Sequence, residues 1–188
     1  MRERGGVRGK GDIMAQIFPE LDERLINFIK AQKIFFVATA PDNLHEEYVN
    51  LSPKGYDTLE ILDNNTIVYA DYPGSGNETA THLQQNGKLT MMFASFDKTP
   101  MVLHLYGHGE AVALNSPVGK ELKEKLDGKV SQYVRQLIIL RIEKVKTSCG
   151  YGVPCYQYIG DRENLMEWCK KASITGKIKK YMGFLWPR

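Results

Sequence analysis

The sequence predicts a mainly β protein, a small antiparallel barrel with helices at its periphery. It contains six or seven short runs rich in β-branched and aromatic residues, separated by turn-forming residues, as is typical of strands. Most connections between these runs are shorter than the crossover that joins parallel strands, so neighbouring strands are expected to be antiparallel. The helical patterns are short and lie between the strands, which favours a barrel with helices on its outside.

Seven segments are predicted to be strands. In chain order they are Ile34–Ala40, Tyr48–Leu51, Leu59–Leu62, Thr66–Tyr72, Lys88–Phe96, Met101–Val112 and Leu137–Thr147. Pro41 ends the first strand. Asp63-Asn64-Asn65 tolerates a left-handed turn, which predicts a hairpin between the third and fourth strands. The short connection Asp97-Lys98-Thr99-Pro100 joins the fifth strand to the sixth.

Four segments are predicted to be helices. They begin at Pro19, at Asn77, at Ser116-Pro117 and at Asp161. The first has proline and acidic residues in its first turn, where the helix dipole favours them. The second extends to about Gln85 and is closed by Asn86-Gly87. The third carries leucines on one face, and the fourth extends to Ala172 with its apolar residues at helical spacing.

Length and composition indicate one globular domain. The chain has 188 residues, of which 43% are hydrophobic and 25% charged, and its formal net charge is +3. These values exclude wholesale disorder, coiled coil and collagen. No apolar run approaches the roughly 20 residues of a membrane-spanning helix. Three cysteines without paired spacing suit a reducing compartment, so a cytoplasmic location is expected.

The first residues differ in composition from the rest of the chain. Residues 1–13 are rich in glycine and arginine and contain few large apolar side chains. They are predicted to be a disordered leader or an over-called start, with Met14 as the first residue of the protein. Residues 14–188 are then predicted to form a single domain.

One loop has the composition of a phosphate-binding site. Tyr72-Pro73-Gly74-Ser75-Gly76-Asn77-Glu78-Thr79 runs from a strand end into a helix start. Unpaired N–H groups at a helix N-terminus carry partial positive charge and can hold a phosphate. Ser52-Pro53-Lys54-Gly55 adds a hydroxyl and an ammonium group at a sheet edge. The alternative is that Ser75 or Asn77 only caps the helix.

Several motifs, taken in order, resemble one known family. They are Phe35-Phe36-Val37-Ala38-Thr39-Ala40, Val49-Asn50-Leu51-Ser52-Pro53-Lys54-Gly55, Asp71-Tyr72-Pro73-Gly74-Ser75-Gly76-Asn77, Leu89–Phe96, Leu105-Tyr106-Gly107-His108-Gly109 and Ser148-Cys149-Gly150-Tyr151-Gly152-Val153-Pro154. Together they are similar to the pyridoxamine 5′-phosphate oxidase-related, FMN-binding split β-barrel family, over about Pro19 to Trp168. The resemblance implies a split barrel and a homodimer with FMN at the subunit interface. It also implies a flavin-dependent oxidoreductase with a small-molecule substrate.

The resemblance also implies a set of cofactor-binding residues. They are Ser52, Lys54, Tyr72, Ser75, Gly76, Asn77 and Thr79. Lys54 matches the lysine at the end of the family's phosphate-binding strand. Gly76 and Asn77 stand where true pyridoxamine phosphate oxidases carry an arginine and a lysine. Charged hydrogen bonds to phosphate are roughly twice as strong as neutral ones, so Lys54 is expected to carry a large share of phosphate binding. The sequence identifies neither catalytic residues nor the substrate.

Parts of the sequence are also compatible with functions other than flavin chemistry. A non-catalytic module that binds flavin or another small ligand is the main alternative, because a fold does not fix a function. No metal site is expected, since His104 and His108 are separated by about 13 Å of strand. The basic C-terminal stretch with Tyr181, Phe184 and Trp186 has a composition that can bind nucleic acid. The favoured interpretation is a solvated helix face followed by an aromatic clip that docks on the barrel.

Overall fold

The structure is a computed structural model that describes residues 15–74, 76–126 and 128–182. Its strands are β1 Gln16–Phe18, β2 Phe35–Thr39, β3 Asn50–Lys54, β4 Leu59–Asp63, β5 Thr66–Asp71, β6 Lys88–Ala94, β7 Val102–Val112 and β8 Gln136–Ser148. Its α-helices are α1 Glu23–Ala31, α2 Glu78–Asn86, α3 Pro117–Lys125 and α4 Asn164–Ile174, and a 3-10 helix covers Lys177–Tyr181. The predicted leader lies outside the described residues, as do Ser75, Phe184 and Trp186.

The strands form one curled, antiparallel sheet. Its order is β3-β2-β6-β7-β8-β5-β4, and β1 pairs with the end of β8. The long strand β8 pairs with β7 along one edge, and with β5 and then β1 along the other. The two ends of the order, β3 and β4, do not pair with each other within the described ranges, so the barrel is open between them. The predicted antiparallel split β-barrel is therefore confirmed.

Two apolar cores pack against opposite faces of β5 and β8. The larger core fills the barrel and includes Tyr69 from β5 and Ile138 from β8. The smaller core lies under α3 and includes Val68 and Ile139 from the same two strands. Because alternate residues point to opposite faces, a strand covered on both sides is apolar along its length. This explains the continuous apolar run Leu137–Leu140.

A close approach between β7 and β8 requires a glycine. The register of the two strands shifts between Tyr106 and Gly107. A Cβ atom at Gly107 would lie 1.9 Å from the carbonyl oxygen of Arg141, which is too short for any side chain. The bulge therefore accounts for the glycine in the middle of this strand.

Most helices and strands begin and end close to their predicted limits, and three differences are informative. Strand β3 covers Asn50–Lys54 rather than Tyr48–Leu51. The first helix begins at Glu23 rather than at Pro19, because the Asp22 side chain caps it by accepting a hydrogen bond from the Leu25 amide at 2.8 Å. Strand β1 was not predicted, since its residues are mostly exposed and its partner is the distant end of β8.

The C-terminal part of the described chain forms α4 and the 3-10 helix. Tyr181 packs edge to face against Trp168, with ring centroids 5.2 Å apart. Tyr181, the one residue of the predicted aromatic clip within the described residues, therefore packs against helix α4. No helix within the described ranges has the length and apolar character needed to cross a membrane.

Candidate functional site

The centre of the candidate site is Asp71, a buried carboxylate at the end of β5. It is held by three donors. Lys54 Nζ lies 3.0 Å from its Oδ1, Arg135 contacts its Oδ2 at 2.7 Å, and Gln136 Nε2 donates to Oδ2 at 2.9 Å. We call these four residues the Asp71 cluster. The pairing of β5 with β8 places Asp71 directly opposite Gln136, which brings the cluster together.

The cluster keeps Asp71 ionised. Burial by itself would raise the pKa of Asp71, but the charges of Lys54 and Arg135 and the hydrogen bonds from Arg135 and Gln136 outweigh that cost. They hold this pKa below its ordinary value. With two cations and one anion, the cluster has a surplus of one positive charge. A surplus positive charge favours an anionic ligand, and the Glu78 carboxylate, which lies over Gly76, offsets part of it.

The same residues hold the loop that leads into α2. Arg135 donates to the carbonyl oxygen of Gly76 at 3.2 Å, and Gln136 Nε2 donates to Asn77 Oδ1 at 2.8 Å. Asn77 occupies the N-cap position, but its side chain makes no capping hydrogen bond. The interpretation that Asn77 caps α2 is therefore wrong, because its oxygen is turned toward Gln136. The first amide groups of α2 have no cap from this residue and can meet a ligand.

A second polar network connects α2 to β3. Asn50 Nδ2 donates to Thr79 Oγ1 at 2.9 Å, and Ser52 Oγ donates to Asn50 Oδ1 at 2.9 Å. Thr39 Oγ1 and His82 Nδ1 are 3.0 Å apart in the same region. The Thr79 hydroxyl is thus turned toward Asn50.

The structure brings most of the predicted residues to one end of the barrel. Lys54 belongs to the Asp71 cluster, Gly76 and Asn77 contact it, and Ser52 and Thr79 belong to the neighbouring network. Tyr72 is half-buried, and its ring centroid lies 6.1 Å from that of Tyr56. Ser75 lies outside the described residues. Whether these side chains bind a cofactor stays a prediction.

Three residues of the Asp71 cluster, Asp71, Arg135 and Gln136, were not identified as site residues from the sequence. A signal for them is present. Asp71 ends the mostly apolar strand β5, and Arg135 and Gln136 directly precede the apolar run Leu137–Leu140 of β8. Polar side chains at the ends of two buried strands meet when those strands pair antiparallel. Recognising the site from this signal requires knowing that β5 pairs with β8.

Unpaired buried atoms in the cluster support a bound group. Arg135 Nε and Gln136 Oε1 are buried without a hydrogen-bond partner among the described residues. Buried polar atoms are normally paired, so such atoms call for a further partner such as water or a ligand. The unpaired Arg135 donor, the surplus positive charge and the uncapped end of α2 fit the phosphate of a cofactor, whereas the Gln136 oxygen is an acceptor and fits a hydroxyl or water donor.

Comparison with known proteins gives consistent results. The model of the pyridoxamine 5′-phosphate oxidase family matches residues 21–149. The pyridoxamine 5′-phosphate oxidase family protein ustO of Aspergillus flavus is 36% identical over 152 residues, which are 80% of this chain. The match spans 60% of the length of that relative.

Solved structures share the fold at low sequence identity. HupZ of Group A Streptococcus superposes with a TM-score of 0.53 at 18% identity, over 66% of this chain and 91% of that chain. A candidate pyridoxamine 5′-phosphate oxidase from Lactobacillus delbrueckii gives a TM-score of 0.51 at 15% identity, over 68% of this chain and 94% of that chain. The sequence match and the split barrel agree, and the chain belongs to the pyridoxamine 5′-phosphate oxidase family.

Proposed function

We propose that this protein binds FMN and acts as a flavin-dependent oxidoreductase. The observation that carries the proposal is the Asp71 cluster, a surplus positive charge beside the uncapped N-terminus of α2. Its place in a chain of the pyridoxamine 5′-phosphate oxidase family supports a flavin over other phosphorylated ligands. Bound FMN supplies the redox chemistry, and the protein binds and orients it. A cytoplasmic location remains a prediction from the cysteine pattern.

The proposed phosphate site uses both charges and backbone donors. Arg135 fixes the loop at Gly76, so the amide groups at the start of α2 are held in place before the ligand arrives. Lys54 is partly exposed, whereas Asp71 beneath it is buried. The ammonium group of Lys54 can therefore meet a phosphate while it remains beside Asp71. Arg135, directly before β8, supplies the positive charge that the loop itself lacks at Gly76 and Asn77.

Titration with FMN and riboflavin tests this function. The purified protein should take up FMN with the visible absorbance of a flavoprotein, and should bind riboflavin, which lacks the phosphate, more weakly. Absence of FMN binding by absorbance and by calorimetry would refute the proposal. Reduction of bound FMN by a nicotinamide donor would support an oxidoreductase. Stable binding without reduction by any donor would favour the alternative, a non-catalytic flavin-binding module.

We also propose that the protein is a homodimer that pairs through the outer face of the sheet. On that face Phe36, Met92 and His104 are cross-strand neighbours on β2, β6 and β7, and all three are only half-buried. On the adjoining edge strand β3, Leu51 is 66% exposed. His104 Nδ1 has no partner among the described residues. A face with half-buried and exposed apolar side chains and an unpaired buried nitrogen suits contact with another protein surface.

Charge at the two ends of this face favours a second copy as the partner. Lys144 and Lys146 lie on β8 at one end, opposite Tyr106 and His104 in the register. Asp42 and Glu46 lie in the loop before β3 at the other end. A twofold axis parallel to the strands would place each basic end against the acidic end of the partner, which makes the surface self-complementary.

Sedimentation analysis tests the dimer. Wild-type protein should sediment as a dimer, and Met92→Lys should shift it to a monomer by placing a charge in the apolar face. Lys120→Glu, an exposed change on α3, is the control and should leave the dimer intact. A monomeric wild-type protein would contradict the proposal, as would a dimer unaffected by Met92→Lys.

A further inference from the structure

Positive charge is concentrated in the last described part of the chain. Residues 168–182 contain five lysines, no arginine, and no aspartate or glutamate. The lysines are Lys170, Lys171, Lys177, Lys179 and Lys180, and all five are exposed. The formal net charge of the whole chain is only +3, so the rest of the chain is net acidic. The basic character of the protein is thus gathered in one short segment, which we call the basic end.

Helix α4 presents the first two of these lysines on its exposed face. Cys169 and Ala172 form the buried face of the helix. Lys170 and Lys171 lie on the other side, and Ile174 follows them by four and three residues. Residues at these spacings are neighbours on a helix surface. Because Ile174 is 79% exposed, an uncovered apolar side chain lies beside the two lysines.

The 3-10 helix adds three lysines to the same end of the molecule. Gly176, with a left-handed φ of 69°, follows α4 and turns the chain into this helix. At the far end of the 3-10 helix, Tyr181 packs against Trp168 of α4, so the two helices lie side by side. The exposed residues between these two points include Lys177, Lys179 and Lys180. Folding therefore brings all five lysines together.

Little negative charge within the protein neutralises the basic end. Among the described residues, Lys171 is the only one of the five lysines with an ion pair, to Glu167 at 3.9 Å. Both members of that pair are exposed, so the pair is weak. Lys180 Nζ lies 4.8 Å from the centre of the Tyr181 ring, which does not cancel its charge. The basic end therefore repels itself, and an anionic partner would remove this repulsion.

Helix α3 shows what an ordinary solvated helix face in this protein looks like. Its three lysines alternate with Glu121 and Glu124, and Lys125 pairs with Glu121 at 3.2 Å. A surface that only has to be soluble mixes both signs in this way. The basic end carries one sign, which indicates an anionic binding partner rather than simple solvation.

The side chains of the basic end favour a lipid surface over a nucleic acid. Lysine acts as a point charge, whereas the planar fork of arginine is the usual choice for nucleic acids. The rings of Trp168 and Tyr181 pack against each other instead of standing free to stack on bases. Exposed Ile174 has no role at a phosphate backbone, but it can enter the apolar layer below lipid headgroups. Trp168 is 38% exposed, and tryptophan is enriched at membrane interfaces.

We propose that the basic end binds the surface of membranes that contain anionic phospholipids. The lysines contact the headgroups, and Ile174 and Trp168 enter the interface. Clusters of four to eight basic residues on an amphipathic helix are typical of proteins that bind such lipids. The inference goes beyond the proposed function and does not depend on it, because no residue of the Asp71 cluster takes part.

Co-sedimentation of the full chain with lipid vesicles tests the charge requirement. Wild-type protein should bind vesicles of phosphatidylcholine and phosphatidylserine in equimolar mixture, but not vesicles of phosphatidylcholine alone. Binding should fall as salt is added. The double variant Lys177→Gln, Lys179→Gln should bind about 10- to 30-fold more weakly, or about fivefold for each charge. Lys120→Gln with Lys123→Gln on α3 removes the same charge and is the matched control, which should leave binding unchanged.

A further variant separates a lipid surface from other anions. Ile174→Ser should weaken vesicle binding about three- to tenfold, because its apolar side chain leaves water on binding. Binding of a single-stranded RNA oligonucleotide without binding of anionic vesicles would overturn the proposal. Unchanged vesicle binding by Ile174→Ser would also overturn it, as would equal losses in the two double variants. All substituted side chains are exposed, and circular dichroism verifies folding. The assay needs no flavin, so its result is separate from that of FMN titration.

Discussion

The Asp71 cluster and the groove beside residues 155–162, which we call the strap, lie on either side of Lys54 and are built in opposite ways. In the cluster, a buried carboxylate is held by two cations and an amide, and the same side chains fix the adjoining loop. In the groove, the strap is held near its ends by hydrogen bonds with Phe96 and Tyr56, and its aromatic side chains are largely exposed. The ordered arrangement of the cluster depends on buried charged groups, whereas the strap is exposed to solvent.

This difference separates two roles of polar groups in neighbouring parts of the molecule. Groups that are buried and fully surrounded position the backbone, and their loss affects stability as well as binding. Groups that are exposed make few contacts within the fold, and their loss changes stability little. Substitutions on the two sides of Lys54 should therefore differ in whether they change the free energy of unfolding.

The largest expected effect is on stability at the centre of the cluster. Asp71→Ala leaves Lys54 and Arg135 without their shared carboxylate, and removing one partner from a buried ion pair costs about 3–5 kcal/mol. Urea denaturation should show this loss in the free energy of unfolding. Asp97→Ala, which removes an exposed carboxylate from the edge of the groove, should cost much less. Similar losses in the two variants would contradict the comparison.

The pH dependence of stability should also come from the cluster. Because the folded pKa of Asp71 lies below its unfolded value, the ionised carboxylate stabilises the native state above the ordinary carboxyl range. That contribution is lost as the pH falls through the folded pKa. The difference in unfolding free energy between wild type and Asp71→Asn should thus narrow as the solution is acidified from pH 7. Denaturation at a series of pH values measures this difference in unfolding free energy. A difference that stays constant with pH would show that the pH dependence of stability does not come from Asp71.

The next largest expected effect is on the affinity for FMN, through its phosphate. Lys54→Met should weaken FMN by about 1.5–3 kcal/mol, or roughly 10- to 150-fold in Kd, as expected for a charged hydrogen bond. Riboflavin should be affected much less, and Lys120→Met should change neither ligand. The loss should shrink as salt is added, because ions screen the charge pair. Calorimetry measures the affinities for FMN and riboflavin and their dependence on salt. Equal weakening of FMN and riboflavin would show that the phosphate does not bind at Lys54.

The smallest expected effect is a gain in affinity. The Glu78 carboxylate folds over Gly76, where a Cβ atom would lie 2.1 Å from Glu78 Oε2. This negative charge stands beside the proposed phosphate position, so Glu78→Gln should strengthen FMN binding by about two- to fivefold. Riboflavin again serves as the control ligand. Unchanged or weaker FMN binding in this variant would place the phosphate away from the start of α2.

Local patterns predicted most of the strands and helices correctly. The hairpin of β4 and β5 follows from Asp63-Asn64-Asn65, and the end of α2 follows from Gly87, which has the left-handed φ of 67° expected of a helix C-terminus. Strand β3 is predicted to cover Tyr48–Leu51, whereas it covers Asn50–Lys54 and includes Pro53. Proline is tolerated there because β3 is an edge strand.

The sequence by itself determined the antiparallel barrel and the helix start after residues 72–77. Each of these depends on neighbours in the chain, since turn residues and alternating side chains act locally. Only the tertiary structure decided that Lys54 shares Asp71 with Arg135, and that the strap lies against the end of β3. The Arg135–Asp71 and Tyr56–Arg162 contacts join residues 64 and 106 positions apart, and they form only because β5 pairs with β8 and the chain returns to the open side of the barrel.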